Sequence, residues 1–191
     1  MRARRRALDS ATRAHAAEAL TALLTELPGY HSAQHLAAYV AIDGEVDTQP
    51  LLQHAQHDGK HIYLPVVAPK HSAELRFYAW TPATAMQTNR FHIPEPIASN
   101  SVGIAPQSLD LVLAPLVAFD PGGNRLGMGG GFYDRTFSFL KAGDRKPLIL
   151  GLAYEFQRLD RIEEASWDVP LSGVVTERHV YFFTGNEVNH R

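Results

Sequence analysis

The stretch Leu36-Ala37-Ala38-Tyr39-Val40-Ala41-Ile42-Asp43-Gly44, read together with residues 48–57 and 62–67, decides the fold. Residues 36–42 are an unbroken apolar run, and Asp43-Gly44 is turn chemistry that ends it. Residues 62–67, Ile-Tyr-Leu-Pro-Val-Val, form a second apolar run, and between the two Leu51, Leu52 and Ala55 share one helical stripe. Strand, helix, strand predicts a parallel crossover, because parallel neighbours need a long connection where antiparallel ones need only a turn.

Working outward, Ser10 is placed as a helix N-cap, with Ala17, Leu20, Leu24 and Leu27 following at three- and four-residue steps until Pro28 and Gly29. Residues 2–8 have helical propensity in too few turns to stand alone, and read as the tail of an element that begins upstream. On the other side, residues 75–80 read as a short strand, and 91–96 as an extended loop because Pro94 and Pro96 restrict the residues before them. Residues 111–114 and 148–153 are buried strands, 115–125 a connector, 132–141 a helix, and 173–176 and 180–183 short β-rich strands. Strands alternating with helices predict an α/β fold: an open, mostly parallel sheet with helices on both faces.

A chain of 191 residues, 45% hydrophobic, buries a core as one domain over residues 1–191. A net charge of -2 gives no whole-molecule reason to bind nucleic acid, although Arg2, Arg4, Arg5 and Arg6 are locally basic. The absence of cysteine excludes disulfides and thiolate metal sites and fits a cytoplasmic protein. No apolar stretch approaches the roughly 20 residues needed to cross a bilayer, so no membrane partner is expected. The histidines show no metal-ligand spacing.

The most informative stretch for chemistry is Asn124-Arg125-Leu126-Gly127-Met128-Gly129-Gly130-Gly131-Phe132-Tyr133-Asp134-Arg135. Its glycines permit positive φ and let backbone amides approach a ligand, and a following helix would bring its own amides to the same place, an environment suited to phosphate oxygens. Arg125 can clamp a phosphate, and Asp134 can ligate a Mg2+ that bridges phosphates. The simpler reading is a tight turn with an Arg125–Asp134 surface ion pair. The loop lacks the Gly-Lys-Ser/Thr ending of a Walker loop and the early strand-to-helix position of a dinucleotide fingerprint.

This loop, the run from Asp110 through Pro115 and Phe119 to Asp120, and the motifs Gly44-Glu45-Val46-Asp47-Thr48, Tyr63-Leu64-Pro65, Ile93-Pro94-Glu95-Pro96 and Trp167-Asp168-Val169-Pro170-Leu171 occur in an order that resembles the 5-formyltetrahydrofolate cyclo-ligase family. The resemblance covers nearly the whole chain. It implies a fold like the sugar-phosphate isomerases and CoA-transferases, and ATP- and Mg2+-dependent conversion of 5-formyltetrahydrofolate to 5,10-methenyltetrahydrofolate by a monomer. In the family's reaction the formyl oxygen is phosphorylated, N10 attacks, and phosphate leaves. By likeness, Arg125, Leu126, Gly127, Met128, Gly129, Gly130, Gly131, Phe132 and Tyr133 surround ATP, with Arg125 and Tyr133 at the reacting group. Ile42, Glu45 and Asp47 hold the folate, and Asp134 and Asp168 ligate Mg2+. Met128 stands where relatives carry a cation.

Alternatives stay open at this level. Asp168 is either a Mg2+ ligand or a cap in its turn, and Asp47 either binds folate or caps the helix after it. Tyr63, Trp80, Phe91 and Phe119 are walls of a pterin slot or core residues, and residues 94–96 a folate cover or a plain connector. The family's N-terminal helix carries a Lys and an Arg that fall upstream of Met1, leaving the arginines of residues 2–6 as an ATP contact or a solvated face. The competing function is a nucleotide-binding regulatory module of the same fold without turnover.

Overall fold

The computed structural model describes residues 1–68, 72–143, 146–184 and 187–190; His71, one of the histidines weighed above, lies outside them. In chain order the helices are α1 (Arg2–Arg6), α2 (Ser10–Thr25), α3 (Pro28–Ser32), α4 (Gln49–His57) and α5 (Phe132–Thr136). The strands are β1 (His35–Ala37), β2 (His61–Val67), β3 (Leu75–Ala79), β4 (Met86–Thr88), β5 (Pro94–Pro96), β6 (Gly103–Ile104), β7 (Leu111–Pro115), β8 (Ala118–Phe119), β9 (Arg125–Leu126), β10 (Leu148–Leu152), β11 (Gly173–Val175), β12 (Val180–Thr184) and β13 (Glu187–His190).

Among the described residues nine strands form one sheet in the order β13-β12-β11-β10-β7-β1-β2-β3-β6. The middle of it, β11-β10-β7-β1-β2, is parallel, and both margins are antiparallel. Along β7, Leu111 and Leu113 enter one core while Val112 and Ala114 enter the other, and all four are fully buried. A strand buried on both faces is what an apolar run without alternation encodes. Helices α2 and α4 pack together against the first face. On the second face, Phe137 leaves the helical region at φ -108° and is fully buried, its ring 5.8 Å from Phe77. That insertion ends α5 early, so the helix expected over residues 132–141 becomes five residues followed by a 3-10 turn over Ser138–Ala142.

Other boundaries shift for identifiable reasons. Of the strand expected over 36–42 only residues 36 and 37 remain, with His35 added: beyond Ala38, whose amide still reaches the Tyr63 carbonyl, the chain folds into a loop tied by Tyr39 Oη to the Val46 carbonyl and Thr48 Oγ1 to the Tyr39 carbonyl. The N-cap of α2 is Asp9 rather than Ser10, because the Asp9 carboxylate accepts from the Thr12 amide. Pro28 opens the short helix α3 as its first residue. The loop expected over 91–96 is the second half of a hairpin, β4 pairing with β5, and its Glu95 is buried, accepting from the Val67 amide and Asn89 Nδ2. The connector 115–125 likewise holds a small hairpin, β8 with β9. No helix among the described residues is long and apolar enough to cross a membrane.

The turn after β1 fixes where α1 sits. Asp43 and Gly44 both have positive φ, 54° and 73°, a backbone that favours Gly and tolerates Asp. A methyl group at Gly44 would lie 2.9 Å from the Arg5 carbonyl carbon, so α1 rests directly on the bare backbone there. Gly44→Ala is therefore expected to cost about 2 kcal/mol or more, from positive φ and displacement of α1 together; chemical denaturation would check this.

Candidate active site

Strand β1 lies between β2, its successor across α4, and β7, whose own successor β10 lies on the far side. The loops leaving β1 and β7 therefore diverge at their carboxyl ends, the position where open α/β sheets leave a crevice for ligands. Into it project the 38–48 loop, the 116–135 segment, and α1.

A cleft of ≈ 430 Å³ is lined by Ser10, Arg13, Ala14, Ala41, Ile42, Asp43, Gly44, Glu45 and Asp47. Glu45 is 9% exposed. Its Oε2 accepts from the Ile42 amide at 3.1 Å, and Arg5 Nη1 stands 4.0 Å from Oε1. Burial raises the Glu45 pKa above the ordinary carboxylate value, against the Ile42 amide and Arg5, which favour the charged form. Asp47, one residue before the Thr48 N-cap of α4, accepts from the Gln49 amide and also lines the cleft. Asp43 receives Arg2, Arg5 and Arg6. Hydrogen bonds from Arg6 and then Arg2 hold its carboxyl well below the usual range.

The N-terminal arginines divide. Arg2 and Arg6 are exposed on Asp43, and Arg4 lies 4.1 Å over the Phe156 ring. Arg5 is buried, donating to the Leu116 carbonyl at 2.9 Å. The solvated-face reading thus fails for Arg5, because the glycine turn lets α1 approach closely enough to bury its guanidinium.

The glycine loop runs along the other side. Gly129 and Gly131 have φ of 84° and 59°, and Gly131 is the N-cap of α5. Among the described residues, no acceptor takes a hydrogen bond from the amides of residues 127–131. At the loop's two ends Arg125 and Asp134 form an ion pair, with Arg125 only 7% exposed. Arg125 Nη1 donates to the Val169 carbonyl, and the Val169 amide donates to Asp134 Oδ1 at 3.1 Å. The ion pair of the simpler sequence reading is therefore present, but inside a three-way clasp rather than on the surface. Asp168, next to Val169, uses Oδ2 to accept from the Ala165 amide at 2.9 Å, the cap role weighed above. Among the described residues Asp134 Oδ2 and Asp168 Oδ1 have no hydrogen bond, and no three His, Asp or Glu side chains form a ready metal cluster.

Tyr133 couples the two sides. Its ring stacks on Phe137 at 6.1 Å, and its pKa is raised, by burial first and then by the Glu45 carboxylate, with Arg125 opposing. Of the aromatics offered as slot walls, Phe119 is core and Tyr63 is buried, its hydroxyl 3.0 Å from His35 Nδ1. Trp80 packs against the core of the α2 face. Phe91 is 47% exposed and meets Phe132 edge-on at 5.7 Å, beside the glycine loop.

A model of the 5-formyltetrahydrofolate cyclo-ligase family matches residues 1–177. The chain belongs to that family. A 5-formyltetrahydrofolate cyclo-ligase of Haemophilus influenzae is 40% identical over 172 residues, covering 89% of this chain and 90% of its own. One from Escherichia coli is 36% identical over 181 residues, covering 95% and 98%. Among solved structures, the 5,10-methenyltetrahydrofolate synthetase of Aquifex aeolicus superposes with a TM-score of 0.81 at 32% identity, covering 100% of this chain and 93% of that one. Cyclo-ligase membership agrees with the expected α/β fold; of the expected residues, Ile42, Glu45 and Asp47 line the cleft above, while Asp168 lines a separate cavity with Val169 and Leu171. Sequence reading missed Ser10 and Arg13 as lining of this cleft, since a serine or arginine in the first turn of a helix is ordinarily solvent-facing, and it weighed Arg5 only together with its neighbouring arginines, as an ATP contact or a solvated face.

Asp43 gives α1 a pH dependence. Its folded pKa is depressed, so its contribution is present above the unfolded value of about 3.9 and is lost as pH falls toward the folded value. Protection of the Arg5, Ala7 and Leu8 amides, which bond to α1 and its N-cap, is expected to drop below about pH 4, and Asp43→Asn to show the same drop at neutral pH, measured by hydrogen exchange.

Proposed function

We propose that this chain is an ATP- and Mg2+-dependent 5-formyltetrahydrofolate cyclo-ligase, forming 5,10-methenyltetrahydrofolate, ADP and phosphate. The observation that carries this reading is the juxtaposition of two unlike surfaces at one sheet crevice in a cyclo-ligase family member. One is an acid-lined cleft at residues 42–47, and the other a loop of unbonded amides at residues 127–131.

The residues suit the groups assigned to them. Consecutive amides without acceptors among the described residues, with open space beside Gly127 and Gly129, suit phosphate oxygens. The open carboxylate oxygens of Asp134 and Asp168 are hard donors of the kind Mg2+ takes, with phosphate oxygens and water completing the shell. ATP supplies the phosphoryl group that makes the formyl oxygen a leaving group, and Mg2+ offsets phosphate charge.

The protein's own contribution is position and proton handling. Glu45 Oε1 carries no hydrogen bond from the protein, so it is free to accept an N–H of the folate. Ring closure by N10 releases a proton, and a carboxylate with a raised pKa beside the reacting nitrogen is a suitable acceptor. Ile42 and Asp47 complete the folate wall, and Tyr133 spans from this cleft to the phosphate loop. The Arg125–Asp134–Val169 clasp holds both ends of the loop, fixing where its amides point.

Incubation with 5-formyltetrahydrofolate, ATP and Mg2+ is expected to generate the near-ultraviolet absorbance of the methenyl product. Asp134→Ala should lower kcat/KM at least about 100-fold, the loss typical of misplaced reacting groups. Tight ATP binding without product would instead support the regulatory-module reading. Glu45→Gln is expected to lower turnover and remove an acid limb that lies above the ordinary carboxylate range of about 4.3; a pH profile unchanged by that substitution would exclude Glu45 as the proton acceptor.

A further inference from the structure

Arg5 has more donors than its surroundings use. A guanidinium offers five N–H groups, yet at 1% exposure Arg5 makes one bond of 2.9 Å to the Leu116 carbonyl and one of 3.4 Å to Asp43 Oδ2, and its Nε has no partner among the described residues. The Leu116 carbonyl does not depend on Arg5, because Gln157 Nε2 also donates to it at 2.9 Å. Nor does Asp43, which Arg2 and Arg6 already neutralise. What remains beside Nη1 is Glu45 Oε1, at 4.0 Å and without a hydrogen bond of its own.

We propose that Arg5 is the positioning residue for Glu45: the buried guanidinium holds that carboxylate oriented into the folate cleft, so that α1 serves the reaction through one side chain. The proposal rests on reading this cleft as the folate site. It explains why a cation is buried where its nearest oxygen acceptors have other donors, and why the turn beneath α1 has no side chain at Gly44. Glu45 is faced by Arg5 and Arg2 from α1, by Asp43 of its own turn, by Tyr39 after β1, and by Tyr133 of α5. Among these, Arg5 is the buried cation and Asp43 the neighbouring acid. Removing Arg5 therefore leaves burial and Asp43 disfavouring the charged carboxylate, opposed by the Ile42 amide and by Arg2.

The test is carbon-13 NMR titration of the Glu45 carboxyl in the full chain, assigned with Glu45→Gln, in wild type, Arg5→Gln and Arg5→Lys. Alongside it runs the pH profile of kcat/KM for 5-formyltetrahydrofolate. In Arg5→Gln the Glu45 midpoint should rise by about one pH unit or more, the effect of losing a close opposite charge. The acid limb of the profile should rise with it while KM for ATP stays within about twofold. Arg5→Lys should recover most of both shifts, because it restores the charge. A Glu45 midpoint unmoved in Arg5→Gln, or moved equally in Arg5→Lys, overturns the proposal and leaves Arg5 as packing. Should Arg5→Gln not fold, Arg5→citrulline, which keeps the shape and removes the charge, decides in its place. The titration needs no turnover: a shifted midpoint in a protein that forms no product would uphold the Arg5–Glu45 coupling and reject the cyclo-ligase reading instead.

Discussion

Everything in the crevice depends on β1, a three-residue strand paired in parallel with β2 on one side and β7 on the other. Because the chain goes from β1 to β2 but from β7 toward β10, the backbone parts at this line, and no crossover covers it. A longer β1 would carry the 38–48 loop further up the sheet and away from Leu116. Its early end, enforced by the Tyr39 and Thr48 hydrogen bonds within that loop, is what brings Glu45 down beside the segment that follows β7.

Two kinds of element then meet at the parting line. The side proposed for folate is built from a loop stiffened by consecutive positive φ values and by an arginine cluster on Asp43, while Glu45 and Asp47 accept from the Ile42 and Gln49 amides. The side proposed for phosphate has glycine amides without acceptors among the described residues but anchors both ends in the Arg125–Asp134–Val169 clasp. Preorganised donors that need not reorganise on binding are the usual source of charge stabilisation in phosphoryl chemistry. Tyr133, whose pKa is raised by burial first and then by the Glu45 carboxylate, stands between the two sides.

The central fold was legible because fully buried parallel strands announce themselves as apolar runs: β2, β7 and β10 all begin and end within two residues of where composition placed them. The ends were not legible where a tertiary contact overrode local preference. Phe137 broke α5 to enter the core, the 36–42 run was cut short by side-chain bonds to backbone, and Pro94–Pro96 found a partner strand 86–88 with no strong β signature. The glycine loop drew attention by residue type, though a tight turn with an ion pair was an equal reading of its glycines, and the Glu45 turn was singled out by the family resemblance rather than by its residues. The burial of Arg5 was not legible, because an arginine among arginines gives no sign of which one is buried.

The most direct test of two ligand surfaces meeting at one crevice is an amide NMR titration, first with a non-hydrolysable ATP analogue and Mg2+, then with 5-formyltetrahydrofolate. Nucleotide should shift the amides of residues 127–131, folate those of residues 42–47, and Tyr133 should respond to both. Nucleotide shifts that bypass the glycine loop, or folate shifts absent from the 42–47 turn, would contradict the assignment of these two surfaces.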